Sequence, residues 1–157
     1  MYGGKFMPYH LGHLYCLRIA SDMCNRVYQI LMTGSAEEEI ILRGLPPDER
    51  EALAPAKRYA VMKAAGDRLG NVDTILMDIS ACRTAEDEED WDAETPLVLK
   101  ACGRFDAVFS SEPAYGAYFK RAYPWAEHVL VDPPRKRYPV SGTAIRGAWE
   151  ALSRWRV

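Results

Sequence analysis

Gly4-Lys5-Phe6-Met7-Pro8-Tyr9-His10-Leu11-Gly12-His13 runs straight into an apolar stretch with helical spacing, Leu14, Leu17, Ala20 and Cys24. The chain has three histidines, and this segment holds two of them, three residues apart and flanking a glycine. With His13 in the first turn of a helix, the two imidazoles share a face, because residues at i and i+3 are neighbours. They then stand at a helix N-terminus, where free N–H groups and the helix dipole favour an anion. A polyphosphate suits that arrangement. Taken alone, a histidine near a helix start is equally a cap or a surface residue.

Working outward, strand-like and helix-like segments alternate. Residues 26–33 (RVYQILMT) form a β-branched apolar strand that ends in Gly34-Ser35. A polar stretch follows, in which Pro46-Pro47 marks a break or a helix start. The pattern then predicts a helix over 56–69, a strand over 72–79, an acidic loop over 85–94 and a helix over 96–102. Beyond these it predicts a strand over 105–110, a helix over 113–123 and a strand over 128–131. A last helix is expected from near Ser141 to about Ser153. Such alternation argues for an α/β fold with a mostly parallel sheet. In these sheets ligands bind beyond the carboxyl ends of the strands, at the switch in strand order. Gly34-Ser35, Ser110-Ser111-Glu112 and Asp132 all follow strands, as one site built from separated segments requires.

At 157 residues the chain reads as one domain, long enough to bury about 68–70% of its unfolded surface. Its formal charge of −2 makes no general case for nucleic acid or a membrane surface. The charge is unevenly placed: seven of the nine residues 86–94 are acidic, whereas 135–157 carry six basic side chains against Glu150. Cys16, Cys24, Cys82 and Cys102 form no C-x-x-C pair, so they read as small core residues of a reducing, cytoplasmic protein without structural metal. No apolar run approaches the roughly 20 residues that span a bilayer, and no signal peptide is visible.

A second motif, Val140-Ser141-Gly142-Thr143-Ala144-Ile145-Arg146, lies where the last helix is expected to start. Either hydroxyl alone is readily an N-cap. Together with free amides at the helix entrance and the planar donor fork of Arg146, they suit phosphate oxygens. Arg135-Lys136-Arg137 either adds positive potential there or forms a solvated basic turn.

The two ends together resemble the nucleotidyltransferase superfamily, with a His-x-Gly-His motif near the start and a Ser-Gly/Ser-Thr-x-x-Arg motif near the end. Within it the chain is most similar to nicotinamide-nucleotide adenylyltransferases. The nearest group is the adenylyltransferase domain of bifunctional proteins that also carry a ribosylnicotinamide kinase. Gly-Lys-Phe-x-Pro-x-His-x-Gly-His, Val108-Phe109-Ser110-Ser111-Glu112-Pro113, Leu130-Val131-Asp132-Pro133 and the 141–146 motif keep the family's order over nearly the whole chain. The resemblance implies a single Rossmann-like nucleotidyltransferase domain over 1–157, its mostly parallel sheet flanked by helices. It also implies transfer of AMP from ATP to nicotinamide mononucleotide, or to a similar phosphorylated small molecule, with no nucleic acid or membrane partner; a homo-oligomer stays open.

By the same resemblance His10, His13 and Arg146 are the catalytic candidates, His13 first among them for the transition state. Gly4, Lys5, Phe6, Gly12, Ser110, Ser111, Glu112, Ser141 and Thr143 are expected on the ATP side. For the serines a helix cap is the competing reading. Trp91 is expected to stack on the acceptor's pyridinium ring, or else to pack down on the domain. Arg58 is expected to hold a phosphate, or else to be an exposed helical arginine. Mg²⁺ comes with ATP, mostly hydrated and with no protein ligand assigned.

Two departures from the family stand out. Only Met1-Tyr2-Gly3 precede the first motif, where the family has a full apolar strand at the centre of the sheet; either the true start lies upstream or a short first strand is tolerated. No Gly-x-x-x-x-Gly-Lys-Ser/Thr loop occurs, so no kinase activity is expected. Three rival functions bear on the same motifs: CTP or another acceptor in the same chemistry, a nucleotide sensor without turnover, and a tRNA-aminoacylating domain. The chain's length and the lack of a Lys-Met-Ser-Lys-like segment speak against the last.

Overall fold

Strand 27–33, buried through Gln29, Ile30 and Leu31, sets the architecture. Val27 and Leu31 pack to one side of their strand and Ile30 to the other, as side chains alternate across a sheet buried on both faces. The computed structural model describes residues 1–85 and 88–157. Its strands Tyr2–Gly4 (β1), Val27–Thr33 (β2) and Val72–Asp78 (β3) form a parallel sheet in the order β1-β2-β3. A short hairpin, Arg83–Ala85 (β4) with Glu88–Glu89 (β5), precedes a second parallel pair, Ala107–Ser110 (β6) and Glu127–Leu130 (β7).

Met1 stitches the two parallel sheets together. Its nitrogen donates to the Ala107 carbonyl at 2.7 Å, and its carbonyl accepts from Phe109 N–H at 2.9 Å. The strand order therefore runs β3-β2-β1-β6-β7 and reverses direction of progress beside β1. That is the switch point at which α/β sheets bind ligands. Strand β1 has three residues, paired Tyr2 with Gln29, Gly3 with Ile30 and Gly4 with Leu31.

Helices cover both faces. Leu11–Met23 (α1) and Pro55–Asp67 (α4) supply Cys16, Leu17, Ala20 and Met62 to the core on one side, with Tyr2, Phe6 and Phe109. Trp91–Cys102 (α5) supplies Val98 and Cys102 to the other, with Met77, Val108 and Tyr123. The remaining helices are Ala36–Arg43 (α2), Pro47–Ala52 (α3), Gly116–Ala122 (α6) and Gly142–Gly147 (α7). All four cysteines are thiols, and burial pushes that of Cys16 up to about 12. Among the described residues no helix is long and apolar enough to cross a membrane.

Three expectations need correction. The polar stretch after β2 holds α2, capped by Ser35, whose Oγ accepts from Glu38 N–H at 3.1 Å, with three glutamates in the first turn. Helix α5 begins at Trp91 rather than Pro96, with Pro96 inside it. Asp90 caps that start, accepting from the N–H groups of Asp92 and Ala93. Acidic residues read as loop thus serve a helix N-terminus, where the dipole favours them. The last helix ends at Gly147 instead of near Ser153, and turns and a 3₁₀ segment, Ser153–Trp155, follow it. Of the predicted acidic loop, Glu86 and Asp87 lie outside the described residues.

Candidate active site

The two amino-terminal histidines cap one another. His10 is the N-cap of α1, and its Nδ1 accepts from His13 N–H at 3.4 Å. His13 Nδ1 accepts in return from His10 N–H at 3.3 Å. This is a capping box made with imidazoles in place of hydroxyl and carboxylate. The rings stack with centroids 3.6 Å apart and 20° between planes. Gly12 makes room for this stack, since a Cβ there would lie 3.0 Å from His10 Cε1.

Because each Nδ1 is an acceptor, each neutral ring carries its proton on Nε2 and offers an N–H donor. Both stay neutral at pH 7. Burial, with Arg135 adding to it, lowers His10 to about 4. Burial, then the neighbouring His10 and Arg135, holds His13 well below the usual range. Phe6 stands edge-on to His13 at 4.9 Å between centroids and fixes its ring.

The carboxy-terminal motif crosses onto the same segment. Arg146 donates through Nη1 to the Met7 carbonyl and through Nη2 to Thr143 Oγ1 at 3.2 Å. Gly142 permits this approach, because a Cβ there would sit 2.6 Å from Met7 O. Ser141 caps α7, its Oγ accepting from Ala144 N–H at 3.1 Å. Asp132 accepts from Lys136 and Arg137 N–H at 2.9 and 2.8 Å, which folds the 132–137 turn and brings Arg135 toward the histidines. Among the described residues, the non-glycine residues with left-handed backbone are Phe6, Asp132 and Arg135, all in these two segments. Such conformations cost of order 1–3 kcal/mol each and cluster at functional sites.

Between the segments lies a cavity of about 370 Å³. Gly4, Lys5, Phe6 and His13 line it, together with Ser141, Thr143 and Arg146; Ser110, Ser111 and Glu112 enter from the end of β6, and Trp91 from α5. His10 and Gly12 line a smaller adjoining cavity of about 100 Å³, which shares His13, Ser111, Arg135 and Gly142 with the larger one. Lys5 forms an ion pair with Glu37 of α2 at the cavity wall. Ser110 Oγ lies 2.7 Å from His128 Nε2, and Glu112 accepts from Ala114 N–H at 3.3 Å, capping the 3₁₀ turn Pro113–Tyr115.

Arg58 is elsewhere. It is 2% exposed, and neither an exposed helical arginine nor part of the cavity lining. Its Nη2 pairs with Glu38, its Nε donates to Leu53 O at 2.7 Å, and its Nη1 donates to Lys5 O. Glu38 also accepts from Gly34 N–H at 2.6 Å and Thr33 Oγ1 at 3.2 Å. This buried pair thus ties the backbone of Lys5 to the β2–α2 turn. Arg58 supports the site from behind.

Trp91 opens α5 at the cavity with 39% of its surface exposed. It meets the rings of Tyr115 at 5.5 Å and Tyr118 at 5.3 Å, both near perpendicular. Tyr118 OH donates to Trp91 O at 2.8 Å and holds the helix start in place. Arg135 belongs to the lining, in line with the first of the two readings of the 135–137 run. Tyr115, Tyr118, Glu94 and Gly142 also belong to it, although the sequence reading did not assign them there, and the glycine inside the second motif was the available signal for one of these. Among the described residues no group of three or more His, Cys, Asp or Glu side chains is placed to hold a metal ion.

No family model matches the chain, and no curated protein matches it in sequence. Solved structures do match in fold. One is a NadR protein in complex with NAD and AMP-PNP, with a TM-score of 0.67 and 19% identity over 99% of this chain. Another is a bifunctional NMN adenylyltransferase/ADP ribose pyrophosphatase from Francisella tularensis, with a TM-score of 0.59 and 19% identity over 96%. This chain spans 43% and 41% of those two proteins. It shares its Rossmann-like fold, parallel strands flanked by helices, with those two structures.

Proposed function

We propose that the chain transfers AMP from ATP to nicotinamide mononucleotide, forming NAD and releasing pyrophosphate. One observation carries the reading: Lys5, His13 and the 141–146 motif, from opposite ends of the sequence, line one cavity at the switch in strand order. The likeness in fold to a protein holding NAD and AMP-PNP supports it.

In the proposed reaction an oxygen of the acceptor's 5′-phosphate attacks the α-phosphorus of ATP in line. The bond from that phosphorus to the β-bridging oxygen breaks, and pyrophosphate leaves with the electron pair. The nucleophile is already anionic near neutral pH, so no general base is needed, and catalysis comes from positioning and charge stabilisation. The Nε2–H of His13 and of His10 are the donors for the transferred and leaving phosphates. Arg146, with the hydroxyls of Ser141 and Thr143, holds the β- and γ-phosphates. Lys5 adds positive charge beside them. Ser110, Ser111 and Glu112 line the adenosine side, and Trp91 stacks on the pyridinium, worth about 0.5–2 kcal/mol.

Mg²⁺ would enter with the triphosphate as part of the substrate and would offset phosphate charge, with no side chain of the protein assigned to hold it. The setting is a reducing cytosol, where the four thiols persist. The test is to incubate the chain with Mg²⁺, each of ATP and CTP, and a panel of phosphorylated acceptors, measuring pyrophosphate and product. Stoichiometric NAD and pyrophosphate from ATP with nicotinamide mononucleotide is the expected result. Absence of dinucleotide from that pair rejects the reading.

A further inference from the structure

The third histidine of the chain, His128, has no task in the proposed mechanism. It lies on β7, where the register sets it opposite Val108, two residues before Ser110 at the end of β6. Its Nε2 is 2.7 Å from Ser110 Oγ, the shortest contact of that hydroxyl. Ser110 and Phe119 line the cavity on the side that α5 and α6 build; His128 is not among the lining residues and stands behind them. Phe119 of α6 meets the imidazole edge-on, with centroids 4.9 Å apart and 73° between planes. Gly116, at the start of α6, leaves room for the ring, since a Cβ there would lie 3.4 Å from Nδ1. Burial lowers the ring's affinity for a proton, so it is neutral at pH 7.

A serine hydroxyl has one proton to give and two lone pairs to accept with. Glu112 N–H takes one lone pair of Ser110 Oγ at 3.3 Å, and Glu112 O, also at 3.3 Å, competes for the proton. The contact to Nε2 at 2.7 Å is the better one, and it engages the hydroxyl whichever of the two atoms carries the bridging proton. One hydrogen-bonding direction of Oγ is then left for a group in the cavity. Resting on the proposed function, we infer that His128 is a positioning residue that fixes the Ser110 hydroxyl for one hydrogen bond to the nucleoside of ATP. It touches no substrate and acts through Ser110 alone. Without it the hydroxyl turns toward Glu112 O, and the nucleoside loses a preorganised partner.

The experiment measures ATP affinity by calorimetry with Mg²⁺ and no acceptor, and kcat with nicotinamide mononucleotide, in variants whose folding is checked by thermal melting. His128→Phe keeps a ring against Phe119 and removes both nitrogens; His128→Ala replaces it if the phenyl ring does not fit. Either is expected to weaken ATP binding about three- to tenfold, as loss of one hydrogen bond does. The kcat changes little, because a contact to the nucleoside is made equally in the ground and transition states. His128→Gln, whose amide offers a donor or an acceptor where Nε2 lies, is expected to bind ATP within about twofold of wild type. In a Ser110→Ala background His128→Phe is expected to change nothing further, since it has no hydroxyl left to act through.

ATP affinity unchanged in a folded His128→Phe variant, whatever its kcat, overturns the inference and leaves adenylyl transfer standing. So does an equal loss in both backgrounds, which would mean that the ring only supports the fold, or a His128→Gln variant as weak as His128→Phe. The expected binding pattern in a chain that forms no dinucleotide does the reverse. A wild-type chain that does not bind ATP rejects both statements.

Discussion

The cavity's two walls are held by different means. On the motif wall nearly every group is tied to backbone: His10 and His13 cap a helix, Arg146 grips the Met7 carbonyl, Asp132 folds its own turn, and Arg58 anchors Lys5 O. On the α5–α6 wall the rings rest mainly on other rings, Trp91 against Tyr115 and Tyr118, with one tie to backbone from Tyr118 OH to Trp91 O. The first arrangement is preorganised, as stabilisation of charge in a transition state requires. The second is a surface for shape and stacking. Damage to the first is expected to appear in stability and turnover, and damage to the second in acceptor recognition.

The largest expected effect falls on the support of the motif wall. Glu38→Ala leaves the buried Arg58 guanidinium without its carboxylate, which destabilises by about 3–5 kcal/mol. Urea denaturation checks this, and a loss under 1 kcal/mol would mean that the pair does not anchor Lys5. Next, His13→Ala is expected to reduce kcat by about 10²–10³, as loss of an oxyanion donor does. ATP affinity falls far less, because the interaction strengthens in the transition state. Equal losses in kcat and in ATP affinity contradict that role.

The motif wall also makes stability depend on acid. The folded state holds both histidines below their unfolded values, so it binds fewer protons than the unfolded chain, and stability is lost as pH falls from about 6.5 toward 4. The loss from His10 alone is roughly 2 kcal/mol at pH 5. A melting temperature that stays flat between pH 7 and 4.5 in wild type, or that falls as steeply in a folded His10→Gln variant, removes His10 as its source. The smallest effect belongs to the other wall. Trp91→Ala is expected to raise the acceptor KM by the equivalent of about 0.5–2 kcal/mol while kcat changes little. An unchanged KM places the pyridinium elsewhere.

This division also explains what the sequence made legible. The strands and both terminal motifs could be read because their signals are local: the β-branched apolar run 26–33, the His-x-Gly-His spacing, and hydroxyls before an arginine at a helix start. Their convergence on one cavity was expected from the resemblance, and both motifs line that cavity. Arg58 was misread because its partner, Glu38, sits on α2, a helix hidden in a stretch that read as polar loop. Glu94 and Tyr118 gave no signal, because their place in the wall depends on α5 starting five residues before the position that Pro96 suggested. The short α7 was overextended because helical spacing continues past Gly147, where the chain turns back and Val157 N–H reaches Tyr9 O at 3.2 Å.

The central claim is that the imidazole pair and the guanidinium act on one triphosphate, and a double-mutant cycle on kcat with His13→Ala and Arg146→Ala tests it most directly. Groups that act as a unit are non-additive, so the double variant is expected to turn over within a few-fold of the slower single variant. Losses that multiply in full would mean that the two groups work on separate events.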